Sequence, residues 1–164
     1  MSARRLPSRH ALLLAAAVVT AACAGRDAAR ATGITVSRAY YVLPAGTSPG
    51  VLYFTMSNAG PSPDTLTAIE SNAGTRVLIH GPMPAMEPVR AIEIAAGATE
   101  RLAPGVRHGM VSAPSPTIHA GDSVSVTLTF ARAGTRTVRA AAITYADVDT
   151  ATATATAAPA ARTE

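Results

Sequence analysis

The sequence predicts an all-β domain over residues 33–145, built as an antiparallel β-sandwich or Greek-key barrel. Apolar residues alternate with polar ones along short runs, most clearly at 123–130, where Val124, Val126, Leu128 and Phe130 share one face. Glycine-rich and proline-rich turns separate these runs, and no stretch of the domain has the 3.6-residue period of an amphipathic helix. About eight short strands at this spacing are typical of a sandwich or a barrel.

The predicted strands are defined by this alternation and by the turns between them. They cover residues 34–43, 51–58, 65–70, 76–80, 89–94, 107–112, 123–130 and 135–144. Leu52, Phe54 and Met56 fall on one face of the second strand, so we expect Met56 to pack in the core.

The N-terminal segment indicates export. Residues 1–10 are basic, and residues 11–22 form one apolar run that is too short to span a bilayer comfortably. This arrangement predicts a signal peptide over residues 1–22 and a location in the periplasm or on the outer face of the cell envelope. The stretch Thr20-Ala21-Ala22-Cys23 resembles a bacterial lipoprotein cleavage site, so we expect a lipid anchor on Cys23, with cleavage after the Ala-x-Ala-like site Ala22-Cys23-Ala24 as the alternative.

Two flanking segments lie outside the predicted domain. Residues 23–32 are expected to form a linker. Residues 146–164 are rich in Ala and Thr, with Val148 as their only large apolar residue, so we expect a disordered tail.

Composition excludes several functional classes. All 14 basic residues are Arg, and three of them lie in the predicted signal peptide, which leaves 11 Arg against 10 acidic residues. Charge therefore gives no case for nucleic-acid binding. The chain has one Cys, which rules out an internal disulfide and a Cys-rich metal site. It has no nucleophile elbow, phosphate-binding loop or HExxH motif, so hydrolytic chemistry has little support and we do not expect an enzyme.

Histidine and methionine residues form the one chemically distinctive pattern. They occur in two clusters, His80-Gly-Pro-Met83-Pro-Ala-Met86 and His108-Gly109-Met110. On a strand, His108 and Met110 project from the same face. Imidazoles with neutral thioethers form a soft donor set that favours Cu(I), and thioethers suit an oxidising compartment. Because the domain lacks Cys, a blue-copper electron carrier is excluded.

The spacing of these clusters resembles that of the periplasmic copper chaperone family PCu(A)C. In this family a Met is followed, after 21 residues, by His-x-Met, as Met86 is followed here by His108-Gly109-Met110. The flanking segments 86–89, 102–105 and 121–124 also resemble the family, as do the first two predicted strands. Only five residues separate His80 from Met86, about half the family's usual number, so Met83 is an alternative to Met86 as a ligand.

The resemblance implies a cupredoxin-like β-barrel that binds one Cu(I) through His80, Met86, His108 and Met110. It also implies delivery of copper to the binuclear copper centre of cytochrome c oxidase, directly or with a second metallochaperone. Two other functions stay open: an envelope lipoprotein that binds a protein partner without metal, and a small copper redox enzyme. His119 precedes a turn and is expected to be solvated.

Overall fold

The structure is a computed structural model, and it describes residues 33–115 and 117–154 of the 164-residue chain. Ten strands account for most of the described residues. They are β1 (Ile34–Val42), β2 (Gly50–Asn58), β3 (Asp64–Ser71), β4 (Arg76–His80), β5 (Pro88–Val89), β6 (Ile92–Ile94), β7 (Thr99–Leu102), β8 (His108–Ser112), β9 (Ser123–Phe130) and β10 (Gly134–Ile143).

The strands form one sheet that curves into a barrel-like shape. The strand order is β5-β4-β8-β2-β1-β10-β9-β3-β6, and β7 pairs with β2 below β8. The β2 strand pairs with β8 through residues 50–52 and with β7 through residues 54–57. An amide hydrogen bond of 3.0 Å from Asn58 on β2 to the Ile94 carbonyl on β6 connects two distant parts of the sheet. The prediction of an all-β, barrel-like fold is confirmed.

Period-two alternation decides which side chains enter the core. In β9 every second residue is buried, from Val124 to Phe130. The β2 strand follows the same rule, and Met56 is fully buried as expected. These side chains pack with those of the other strands into one continuous apolar core, which supplies the main stabilisation of the domain.

The strand assignments differ from the predicted ones in three ways. The β7 strand is not among the predicted strands, and the predicted run at 89–94 is divided into β5 and β6, which pair with different neighbours. In addition, β1 and β10 pair in parallel, whereas the other ladders are antiparallel among the described strands. A parallel neighbour is accommodated here because β1 and β10 are far apart in the chain and need no hairpin between them.

A short helical segment follows β10, at the start of the predicted tail. Residues Tyr145–Asp147 form a 3-10 turn, and α1 (Val148–Thr154) follows. The Thr144 hydroxyl donates a 2.6 Å hydrogen bond to the Asp147 carboxylate at the start of this segment. Val148 is buried, which the composition of the segment alone does not reveal. Disorder of the tail over residues 146–164 stays a prediction, and residues 155–164 lie outside the described residues.

The predicted signal peptide 1–22, Cys23 and the predicted linker 23–32 also lie outside the described residues. In the described part of the chain, no helix is long and apolar enough to cross a membrane.

Candidate metal centre

The two candidate histidines face each other on neighbouring strands. In the antiparallel β4–β8 ladder, His80 lies directly opposite His108, and Leu78 lies opposite Met110. Residues that oppose each other in such a ladder point to the same face of the sheet. Three predicted ligands, His80, His108 and Met110, therefore share one face.

The imidazole rings of His80 and His108 are stacked. Their centroids are 6.0 Å apart and the ring planes are inclined by 29°. Metal–imidazole bonds of about 2 Å hold the centroids of two rings on one ion no more than about 6 Å apart. The observed separation is therefore at the upper end of what one ion can bridge.

One nitrogen of this pair is buried without a hydrogen bond. Among the described residues, Nδ1 of His80 has no hydrogen-bond partner, although the atom is inaccessible to solvent. A buried polar atom without a partner costs about 1–3 kcal/mol, so such atoms are few in folded proteins. A metal ion is one group that could satisfy a ring nitrogen in this position.

The face that carries the candidate ligands is the outer face of the barrel. Along β8, Gly109 and Val111 are buried, whereas His108 and Met110 are half-buried. The same alternation on β4 buries Ile79 and leaves Leu78 exposed and His80 half-buried. The candidate site is consequently shallow, with core residues directly behind it.

The site lies part-way along β2 and not at the end of the sheet. Leu52 on β2 is opposite Gly109 on β8. His108, one residue before Gly109, therefore lies where β2 stops pairing with β8 and begins to pair with β7. The intervening turn, residues 103–107, is closed by a 2.8 Å hydrogen bond from the Ala103 amide to the Arg107 carbonyl. This turn places His108 at the first position of β8.

The remaining candidate, Met86, lies in the loop that begins directly after His80. The loop is closed at its base by a 2.8 Å hydrogen bond from the Gly81 amide to the Glu87 carbonyl, and His80 pairs with Pro88. Within it, the Met86 amide donates to the Pro82 carbonyl at 3.1 Å. Met86 has φ of +48°, a left-handed conformation that is uncommon for a residue other than glycine. Met86 is half-buried, and Met83 is 68% exposed.

The arginine next to His108 is neutralised by a partner. Arg107 forms an ion pair of 2.8 Å with Glu100 on β7. Its guanidinium is thus held toward β7, which limits the repulsion that an unpaired cation would exert on a metal ion at His108. The other domain histidine, His119, is in a turn with its side chain 79% exposed, as expected.

Sequence patterns missed two features of this region. Leu78 opposes Met110 and is exposed, but only the β4–β8 register reveals that they are neighbours. The Arg107–Glu100 pair depends on β7, which is not among the predicted strands. Within residues 33–115 and 117–154, no group of three His, Cys, Asp or Glu side chains is arranged to hold a metal ion.

Comparison with known families and structures identifies the relatives of this domain. A model of the LpqE-like lipoprotein family matches residues 34–142, well over half of the chain. This chain belongs to the LpqE-like family. The comparison with curated proteins found no match.

The solved structures similar to this LpqE-like domain include PCuAC domains. The copper-bound PCuAC domain of PmoF2 is 26% identical, with a TM-score of 0.61 over 68% of this chain and 93% of that domain. The apo PCuAC domain of PmoF1 is 23% identical, with a TM-score of 0.62 over 68% of this chain and 94% of that domain, and shows the shared fold. The CuI form of DR1885 from Deinococcus radiodurans has the same fold, at 22% identity and a TM-score of 0.52 over 70% of this chain and 77% of that chain. The resemblance to PCu(A)C-type copper chaperones is confirmed.

Proposed function

We propose that this LpqE-like chain is an exported copper chaperone that binds one Cu(I) ion as cargo through His80, Met86, His108 and Met110. The observation that carries the proposal is the opposed pair His80 and His108, with Met110 on the same face and a buried His80 nitrogen that lacks a hydrogen bond. The copper-bound PmoF2 domain supports the choice of metal.

The donor set supports Cu(I) over harder ions. Two imidazoles and two thioethers are neutral, soft to borderline ligands, whereas Mg²⁺ and Ca²⁺ require oxygen ligands. Neutral ligands also leave a bound Cu(I) with its single positive charge, and the pairing of Arg107 with Glu100 reduces the opposing field. The proposed donors come from three chain segments: His80 ends β4, Met86 lies in the loop after it, and His108 and Met110 are on β8.

The shallow position of the site favours a carrier over a catalyst. On an outer face, an incoming donor group can reach the ion and replace the ligands one at a time. We propose delivery to the binuclear copper centre of cytochrome c oxidase, directly or through a second metallochaperone. The sequence resemblance supports this recipient. The lipoprotein family supports attachment to the envelope, which we propose occurs through Cys23.

The test is a titration of the full chain with Cu(I) against a competing chelator such as bicinchoninate. We expect one tight site per chain, and we expect His80→Ala and His108→Ala each to weaken it by about 100-fold or more. His119→Ala is the matched control, because this histidine is exposed and belongs to neither cluster. A wild-type chain that takes up no Cu(I), or a His119→Ala variant as weak as the other two, would contradict the proposal.

Further measurements address the recipient and the anchor. We expect the Cu(I)-loaded chain to transfer its ion to the copper-binding subunit of cytochrome c oxidase, which absorbance of the assembled centre would report. Mass spectrometry of the mature protein should show a lipid-modified Cys23 as its first residue.

A further inference from the structure

We propose that Met83 is a transfer ligand, an exposed thioether that accepts Cu(I) from the site during exchange but does not hold it at rest. This inference rests on the proposed function and adds a role for a residue outside the four-ligand set. It starts from the different environments of the four methionines in the described residues. Met56 is fully buried, Met86 and Met110 are half-buried, and Met83 is 68% exposed.

Met83 lies close in sequence to two candidate ligands, in a loop that hydrogen bonds hold closed. Met83 is three residues from both His80 and Met86, inside the turn closed by the Met86 amide and the Pro82 carbonyl. A second hydrogen bond, from Gly81 to Glu87, closes the base of the loop. Pro82 and Pro84 flank Met83 and restrict its backbone, so the exposed side chain is presented on a stiff support.

The surroundings of Met83 leave room for an approaching molecule. Pro82 lines a groove of about 330 Å³ together with Val106 and Arg107, the residues just before His108. Val106 is 43% exposed and, like Met83, is an apolar side chain on the surface. The groove runs from Pro82, in the loop that carries Met83 and Met86, to the turn that leads into β8, so a molecule in it would contact the residue before Met83 and the residue before His108.

The exchange step requires no redox partner and no proton. The bond from Cu(I) to the Met86 sulfur breaks as a bond to the Met83 sulfur forms. Both thioethers are neutral and copper stays Cu(I), so charge and electrons are unchanged. Because the Met83 sulfur is exposed, an acceptor's donor group can then reach the ion from solvent.

The experiment separates the sulfur of Met83 from its apolar bulk. The full chain and its Met83→Leu and Met83→Ala variants are loaded with Cu(I) and mixed with bicinchoninate, and the coloured chelate is followed by stopped-flow absorbance. Equilibrium affinity is measured in parallel, and Met56→Leu is the matched control for loss of one thioether. We expect Met83→Leu to keep the wild-type affinity but to release copper about tenfold more slowly.

Each other outcome overturns the proposal in a distinguishable way. Release from Met83→Leu at the wild-type rate means that the sulfur has no part in exchange. Slow release from Met83→Ala alone means that Met83 provides only an apolar contact. A tenfold loss of affinity in Met83→Leu makes Met83 a resident ligand. A wild-type chain that holds no Cu(I) refutes the proposed function itself, and this inference with it.

Discussion

Gly109 packs directly against Leu52: a Cβ atom added at position 109 would lie 3.2 Å from the Leu52 Cβ and 3.4 Å from a methyl group of Val77. Both contacts are tight, and Leu52 is fully buried in the core. The absence of a side chain at Gly109 therefore lets β8 approach β2 closely, between the two candidate ligands His108 and Met110.

We expect Gly109→Ala to lower the free energy of unfolding by about 1–3 kcal/mol, because the new methyl group must displace core atoms. Urea denaturation would measure the change. Gly81→Ala is the control, since its Cβ would make only an ordinary 3.5 Å contact with the Glu87 carbonyl. Equal stability of the two variants would contradict the steric argument.

We expect the double variant Met86→Leu and Met110→Leu to lose at least about 100-fold in Cu(I) affinity, because both soft sulfur donors are replaced by groups that cannot coordinate. Competitive titration with a chelator would measure it. Met56→Leu, which alters a core methionine, should bind as the wild type does. Intact stoichiometry and affinity in the double variant would exclude these two residues as ligands.

We expect His80→Phe to retain or raise the stability of the metal-free chain while it abolishes the response to copper. The substitution removes the buried Nδ1 that lacks a hydrogen bond, and replacing such an atom by an apolar group is neutral or favourable. Cu(I) at 100 times its dissociation constant should stabilise the wild type by about 2.7 kcal/mol. Thermal unfolding with and without Cu(I) tests both parts, and a similar copper-induced shift in the variant would rule out His80.

We expect Asp64→Ala to cost about 2–4 kcal/mol of stability. The buried Asp64 carboxylate accepts hydrogen bonds of 2.8 Å from the backbone amides of Thr65, Arg132 and Ala133, and alanine would leave them without this acceptor. Asp64→Asn keeps one side-chain oxygen and should lose less. Urea unfolding would rank the three proteins, and equal losses would argue against the hydrogen bonds as the cause.

We expect the domain to lose stability as the pH rises above about 10. Burial raises the pKa of Tyr41. Burial also raises the pKa of Tyr53, and the charge of the nearby Tyr145 raises it further. A phenol whose pKa is higher in the folded state binds its proton more tightly there, so stability is present below the unfolded pKa and declines above it. Tyr41→Phe should reduce this decline, and it should be harmless at neutral pH because the Tyr41 hydroxyl has no hydrogen-bond partner among the described residues. Denaturation curves at several pH values, with phenolate absorbance, would test this.

The sequence predicts a strand when the strand's own residues carry an alternating pattern, but not when the strand depends on pairing with a distant part of the chain. Residues 123–130 were predictable because alternation along that strand matches its burial residue by residue. The β7 strand was not, since the sequence Thr-Glu-Arg-Leu has one apolar residue and its conformation depends on pairing with residues 54–57 of β2. Asp64 was likewise an unremarkable acid in the sequence, because its backbone partners at 132 and 133 are distant in the chain.

The residues of the candidate site could be predicted from the sequence, but most of their arrangement in space could not. Spacing placed His108 and Met110 on one face of a strand, and the structure has them there. The opposition of His80 to His108 depends on the β4–β8 register, which no local pattern determines. The roles of the four residues as ligands stay predictions until copper is measured on the chain.

The alternation that turns His80, His108 and Met110 outward also keeps these candidate ligands separate from the apolar core. In zinc fingers the ion organises the core, and removing it unfolds the chain. Here the inward-facing residues Ile79 and Val111 belong to an apolar core that contains none of the four candidate ligands. Under the proposed function, an empty molecule should accordingly stay folded after it releases its ion and should be able to bind another.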